Sequence, residues 1–321
     1  MEYRAVGRTG LVVSALGLGT MTWGRDTDEM DATDQLADFL DAGGTLVDTA
    51  ASYGGGAAEE QLGDLIGTVA DRSDLVLTTK SGVGTRGGRA VVDASRGSLL
   101  ASLEGSLRRL GTSWVDLWLV QAPDHHTPLA ETLGALTLAV QSGKARYVGL
   151  SNHPAWLTAA AAAQLRHSGV ELAAAEVEYS LLQRGIEREL VPASAGLGFG
   201  VLAWSPLGRG VLTGKYRHSI PADSRAASAH LRGFVEPYLN TSAGAVVEAV
   251  ATAADGLGVS PLAVALAWVR QAPQVACAIV GGRTAGQLRA SLAAGNLELP
   301  AEIVSALGEI SAPAVGYPER L

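Results

Sequence analysis

Residues 114–152 read WVDLWLVQAPDHHTPLAETLGALTLAVQSGKARYVGLSN. Two apolar runs of strand length, from Trp114 and from Ala145, bracket a segment with helical spacing over Leu129–Ser142, which Gly143 follows. A glycine there supplies the left-handed backbone that ends a helix. The unit predicts strand, helix, strand. Outward from it the pattern repeats. LGLGTM around Gly17, TLVDTA from Thr45, LVLTTK from Leu75, LAAAEVEYS from Leu172, GVLAWSP from Gly200 and VACAIVGG from Val275 are further strands. Met30–Ala42, Glu59–Ala70, Ser95–Leu110, Ala155–Ser168 and Glu187–Ala195 are further helices, and Gly43, Gly111, Gly169 and Gly196 mark helix ends. Strand and helix alternation sustained over this length predicts an α/β protein whose parallel sheet closes into a (β/α)8 TIM barrel. Thr241–Gly256 and Ser260–Ala272 place two helices between the seventh and eighth strands, one more than a minimal barrel needs. No linker interrupts the series, so residues 1–321 are read as a single barrel domain.

The composition narrows the function classes. With 47% hydrophobic and 17% charged residues, the 321-residue chain can bury a large core and is neither disordered nor collagen-like despite its 40 glycines. Cys277 is the single cysteine, so an intramolecular disulfide and a paired-cysteine metal site are excluded, and a reducing compartment is expected. MEYRAVGRTG lacks the basic start and apolar stretch of a secretory signal, and the apolar windows Leu157–Leu165 and Leu262–Val269 are too short to span a bilayer. The cytoplasm is the expected location, without membrane association. A net charge of −8, with no basic cluster interleaved with aromatics, argues against a nucleic-acid partner.

In such a barrel chemistry sits at the carboxyl ends of the strands. Asp48, Lys80, Gln121, Ser151 with Asn152, Glu176, and Trp204 with Ser205 end the second to seventh strands. Any one of them could be a solvated strand end. Asp48 and Lys80, however, come from neighbouring strands, with Tyr53 five residues past the aspartate in a glycine-rich loop. A tyrosine of ordinary pKa about 10 is a poor acid near neutrality, but a neighbouring ammonium stabilises its phenolate and is expected to lower that value. Tyr53 is therefore a candidate proton donor to a developing alkoxide.

DTAASYGGGAAEEQLG, LTTKSG, VDLWLVQAPD, YVGLSN, EVEYSLLQRGIERELVP, AWSPLGRGVLTGKY and IVGGRTAGQL follow one another in this order. Together they resemble the aldo-keto reductases over nearly the whole chain, most closely the branch that includes voltage-gated potassium channel β subunits and bacterial sugar and xenobiotic reductases. The resemblance implies a (β/α)8 barrel that binds NADPH and reduces carbonyl groups without a metal. It makes Tyr53 the general acid, with Lys80 and Asp48 tuning it. Thr20, Met21, Ser151, Asn152, Glu176 and Trp204 would hold the nicotinamide end. Ser205, Pro206, Leu207 and Arg209 would form the loop over the pyrophosphate, with Lys215 beyond them. Arg225, Gly281, Arg283 and Gln287 would meet the adenosine end and its 2′-phosphate. The arginines favour NADPH over NADH, since a guanidinium can pair with the extra phosphate; NADH is not excluded. The expected partner is a small-molecule carbonyl substrate, and a homo-oligomer is compatible with the sequence. The alanine, glycine and arginine content resembles a high-GC bacterial source, where a secondary-metabolite or deoxysugar intermediate is a plausible substrate.

Four positions depart from that family. Gln121 stands where a histidine usually helps hold the substrate oxygen; an amide can donate a hydrogen bond but carries no proton or charge. The departure leaves open a slower ketoreductase, a reductase of conjugated C=C bonds, and a weakly catalytic NADPH-binding redox-sensing partner protein. Glu176 replaces a glutamine, which puts its protonation state in question. Ala290 and Ser291 replace a glutamate and an asparagine that usually face the adenine. Other signals are set aside: LGRGVLTGKY lacks the P-loop spacing, AGLGFG lacks the dinucleotide fingerprint, and adjacent His125 and His126 are poorly placed to share a metal.

Overall fold

Strands buried on both faces must be covered on both, and the eight apolar runs meet that requirement by closing on themselves. In the computed structural model, which describes residues 1–222, 224, 226–228, 230–314 and 316–317, they form β1 (Leu16–Gly19), β2 (Leu46–Asp48), β3 (Val76–Ser81), β4 (Val115–Val120), β5 (Ala145–Ser151), β6 (Leu172–Glu178), β7 (Gly200–Trp204) and β8 (Val275–Val280). All neighbours are parallel, and β8 pairs with β1 to complete a closed barrel in sequence order. The register aligns Gly19 with Asp48, Asp48 with Thr78, Lys80 with Leu119, Ser151 with Glu176, and Glu178 with Trp204. The predicted strand-end residues therefore share one rim.

The helices are α1 (Glu29–Asp41), α2 (Ala57–Leu65), α3 (Arg96–Arg109), α4 (Leu129–Gln141), α5 (Ala155–His167), α6 (Leu190–Leu197), a short α7 (Arg232–Val235), α8 (Thr241–Leu257), α9 (Pro261–Arg270), α10 (Ala285–Ala293) and α11 (Ala301–Ile310). Polar side chains start four of them: Asp28, Asn240, Ser260 and Thr284 each accept from a backbone N–H in the first turn. Helices α8 and α9 lie between β7 and β8 as expected. The outer core joins the barrel wall to these helices through Phe39, Leu62, Leu103, Leu136, Leu165 and Leu266. A second cluster fills the barrel itself with Leu46, Leu117, Leu119, Leu202 and Cys277.

Three features differ from expectation. Helix α6 runs through Gly196 and ends at Gly198, which has φ 92°. Helix α2 stops at Leu65 rather than Ala70 because Ile66 is extended. Two hairpins were not anticipated, Tyr3–Ala5 with Val12–Ser14 and Val83–Arg86 with Arg89–Val92. The first plugs the amino end of the barrel, placing Val6, Leu11 and Val13 against the interior cluster. Among the described residues no single helix is long and apolar enough to cross a membrane; the one pair that qualifies in combination, within α8 and α9, is bent by 101°.

Candidate active site

The carboxyl-end rim encloses a cavity of about 480 Å³. Its floor is built from Asp48, Lys80 and Glu176, which arrive on β2, β3 and β6 and are almost wholly buried. Lys80 Nζ donates to Asp48 Oδ1 at 2.5 Å and to the Thr49 carbonyl at 2.9 Å, and lies 3.2 Å from Glu176 Oε1. Burial alone would depress the ammonium, but Asp48 and Glu176 outweigh it and hold Lys80 above its ordinary value. Burial raises Asp48 against the pull of Lys80. Glu176 is pushed up to about 8, by burial first and then by the Asp48 charge.

Tyr53 follows β2 in the turn Tyr53–Gly56, and the Lys80 ammonium lies 5.1 Å from its ring centroid. The expectation that Lys80 brings the phenol below its ordinary value is corrected here: Lys80 pulls in that direction but is outweighed. Burial dominates and raises Tyr53 above its ordinary 10, with Asp48 and Glu176 adding to the rise while Lys80 opposes it. Lys80 is the largest electrostatic influence and favours the phenolate, but burial together with the two carboxylates outweighs it. The hydroxyl therefore keeps its proton throughout the neutral range.

Gln121 follows β4 at the cavity wall, where Ser52 Oγ donates to its Oε1 at 2.9 Å. Asn152 Nδ2 donates to the Gln121 carbonyl and to Ser151 Oγ, and Trp204 Nε1 donates to Asn152 Oδ1, each at 3.0 Å. The Trp204 ring is stacked on Phe234, 6.4 Å between centroids and 17° between planes. Asn152, Ser205 and Arg209 have φ of 60°, 52° and 57°. Three non-glycine residues in the left-handed region on one rim mark backbone held by its surroundings. The Arg209 guanidinium is engaged in the wall: it donates to Glu178 through Nε at 2.7 Å and Nη2 at 2.5 Å, and lies 4.0 Å from the Phe234 ring.

Of the other predicted positions, Met21, Pro206, Leu207, Lys215, Gly281, Arg283 and Gln287 line the cavity with those above. Thr20 does not reach it, because its hydroxyl donates to the Asp48 carbonyl at 3.0 Å beneath the floor. Arg225 lies outside the described residues. Sequence reasoning missed Ser52, Glu178 and Phe234. Glu178 was detectable, since it lies two residues past Glu176 on one strand and so shares its face. Ser52 adjoins Tyr53, but nothing in the sequence pairs it with Gln121. Phe234 comes from a long connection without a readable period.

The donor set suits a nicotinamide dinucleotide. Buried Glu176 borders the cavity, and its Oε2 has no hydrogen-bond partner. The Trp204 indole supplies a flat wall, and Lys215 and Arg283 bring positive charge. A side chain at Gly281 would meet the Gly19 carbonyl at 2.7 Å, so only glycine keeps that wall open.

The aldo/keto reductase family model matches residues 15–312. The chain belongs to the aldo/keto reductase family. It is 36% identical over 320 residues to an uncharacterized oxidoreductase, YrpG, of Bacillus subtilis, covering 97% of this chain and 96% of that one. It is 34% identical over 307 residues to the L-glyceraldehyde 3-phosphate reductase of Escherichia coli, covering 92% and 88%. A probable voltage-gated potassium channel subunit beta of Oryza sativa subsp. japonica is 35% identical over 293 residues, covering 90% and 89%. This aldo/keto reductase is thus an oxidoreductase on a closed eight-stranded barrel.

Proposed function

We propose that this aldo/keto reductase uses NADPH to reduce the carbonyl group of a small molecule. The observation that carries the reading is Tyr53, its ring centroid 5.1 Å from Lys80 Nζ, beside the buried Asp48–Lys80–Glu176 cluster in a cavity that also holds Trp204, Lys215 and Arg283. When bound, the cofactor supplies hydride to the substrate carbon. Tyr53 gives its proton to the oxygen as negative charge develops there, and Lys80 stabilises the resulting phenolate. Ser52 occupies the Gln121 oxygen, which turns the amide NH2 toward a ligand oxygen. Asn152, fixed by Trp204 and the Gln121 backbone, holds the carboxamide end.

The test is NADPH turnover against saturated ketones and aldehydes paired with their α,β-unsaturated counterparts, with products identified by mass. Alcohol products support the reading. Saturated ketones from the unsaturated set would replace it with C=C reduction. A second reading, a slow nucleotide-sensing protein, is favoured by the neutral amide of Gln121 and would be upheld by tight binding with no product.

Two substitutions probe the details. Gln121→His exchanges a neutral donor for one that can carry charge, a gain of about 1 kcal/mol in hydrogen-bond strength. Turnover of simple aldehydes should rise about fivefold; a fall would mean that glutamine is matched to a particular substrate. Arg283→Ala should weaken NADPH about tenfold while leaving NADH nearly unchanged, measured by fluorescence titration, because the 2′-phosphate loses a charge-assisted hydrogen bond. Equal weakening of both nucleotides would remove Arg283 from the 2′-phosphate.

A further inference from the structure

Glu176 is the least satisfied group in the site. It is 2% exposed, its Oε1 lies 3.2 Å from Lys80 Nζ, and its Oε2 is buried without a hydrogen-bond partner, in a residue that borders the cavity. The charges around it can be counted element by element. Among the described residues Lys80 on β3 is the cation paired with it, Asp48 on β2 already holds that lysine at 2.5 Å, and Tyr53 in the cavity and Cys277 in the barrel interior are neutral acids nearby. With both carboxylates ionised the buried cluster carries a net negative charge; with one proton held it is neutral. An uncompensated charge in a dry site is costly, so the neutral count is the stable one.

We propose that Glu176 exchanges its proton with the redox state of the bound nicotinamide, staying a carboxylic acid beside the neutral reduced ring and releasing the proton beside the cationic oxidised ring. The inference rests on the nicotinamide cofactor proposed above. As an acid, Glu176 carries its proton on a buried oxygen and leaves the cluster neutral. Beside a cation, the carboxylate restores the balance that Lys80 alone cannot, and the proton leaves to solvent. The upward displacement of Glu176 by burial and by Asp48 places that exchange near neutral pH. An opposite charge at close range lowers a carboxyl by about one unit or more. The ratio Kd(NADP+)/Kd(NADPH) should then fall about tenfold as pH rises from about 6 to about 9. Ionisation of the 2′-phosphate occurs in both nucleotides and cancels in the ratio.

The experiment is calorimetric titration of the full chain with NADP+ and with NADPH, in buffers of different ionisation enthalpy, which counts protons exchanged on binding. Near pH 8, NADP+ should release about half a proton more than NADPH, and in Glu176→Gln the difference should vanish. Equal proton counts in the wild type would overturn the proposal. A difference that persists in Glu176→Gln would do the same by moving the proton to Asp48, Lys80 or Tyr53. If neither nucleotide binds, it is the cofactor reading that fails. If Glu176→Gln does not fold, infrared difference spectra of the two wild-type complexes decide. Loss of a buried protonated-carboxyl band with NADP+ supports the proposal, and an unchanged band refutes it.

Discussion

Tyr53→Phe should lower carbonyl reduction by about 10²- to 10⁴-fold, the range typical of losing a positioned general acid, while leaving NADPH affinity within about twofold. The substitution removes one hydroxyl and keeps the ring that the Lys80 ammonium faces at 5.1 Å. Asp48, Lys80 and Glu176 keep their mutual contacts, so the floor should not collapse. Burial holds Tyr53 above 10, which makes the phenol a poor acid in the resting site but one that is always loaded. It transfers its proton when the substrate oxygen has become an alkoxide, a far stronger base. The pH profile should therefore show no limb from Tyr53 below about pH 10. A limb near pH 8 would belong to Glu176, whose displaced carboxyl titrates there, and should be absent from Glu176→Gln. Steady-state kinetics with a saturated aldehyde, together with a binding titration, check all of this. Turnover by Tyr53→Phe comparable to the wild type would remove Tyr53 as proton donor.

The parts of this protein that repeat were legible, and the parts that depend on a single long-range contact were not. Eight apolar runs, with the polar residues closing the second to the seventh, locate the barrel and its rim, because strand pattern and strand end are local properties. Helix ends at Gly43, Gly111, Gly143 and Gly169 were readable for the same reason, and all four have positive φ. The plug hairpin was not, since strands of three residues leave no periodic trace. At the site, Asp48 and Lys80 could be named from their strand ends and Tyr53 from the loop five residues past Asp48, yet the net shift of Tyr53 came out opposite. Burial outweighs the pull of Lys80 there, and Glu176, which reaches that lysine at 3.2 Å across the barrel, adds to the rise. Arg209, which the resemblance assigns to the loop over the pyrophosphate, lines the cavity, but the contact that fixes its fork, with Glu178 31 residues away, had no sequence signal.

Lys80→Met should cost about 3–5 kcal/mol of stability at neutral pH, the penalty for leaving a buried ion pair without one partner, and should abolish measurable turnover. Lys80 is 1% exposed and is the cation between Asp48 and Glu176, so its loss brings two carboxyls together with nothing to balance them. Both can escape by taking up protons. The deficit should therefore shrink toward pH 5 and widen toward pH 9, as followed by urea denaturation. The wild type provides the sign check. Glu176 rises from an ordinary 4.5 to about 8 in the folded protein. Its contribution to stability is then complete below about 4.5 and lost as pH climbs through about 8, because the folded state binds the extra proton over that window. Glu176→Gln should flatten this slope. Lys80 itself is held above its ordinary 10.5, so its contribution persists through the same window and does not blur the test. The triple substitution Asp48→Asn, Lys80→Met, Glu176→Gln removes every charge from the floor. It should recover most of the lost stability without recovering activity, since a neutral floor packs but cannot hold a phenolate. If the triple variant is as unstable as Lys80→Met, packing around the lysine stem rather than charge balance fixes the floor. If it regains turnover, the cluster has no part in the chemistry.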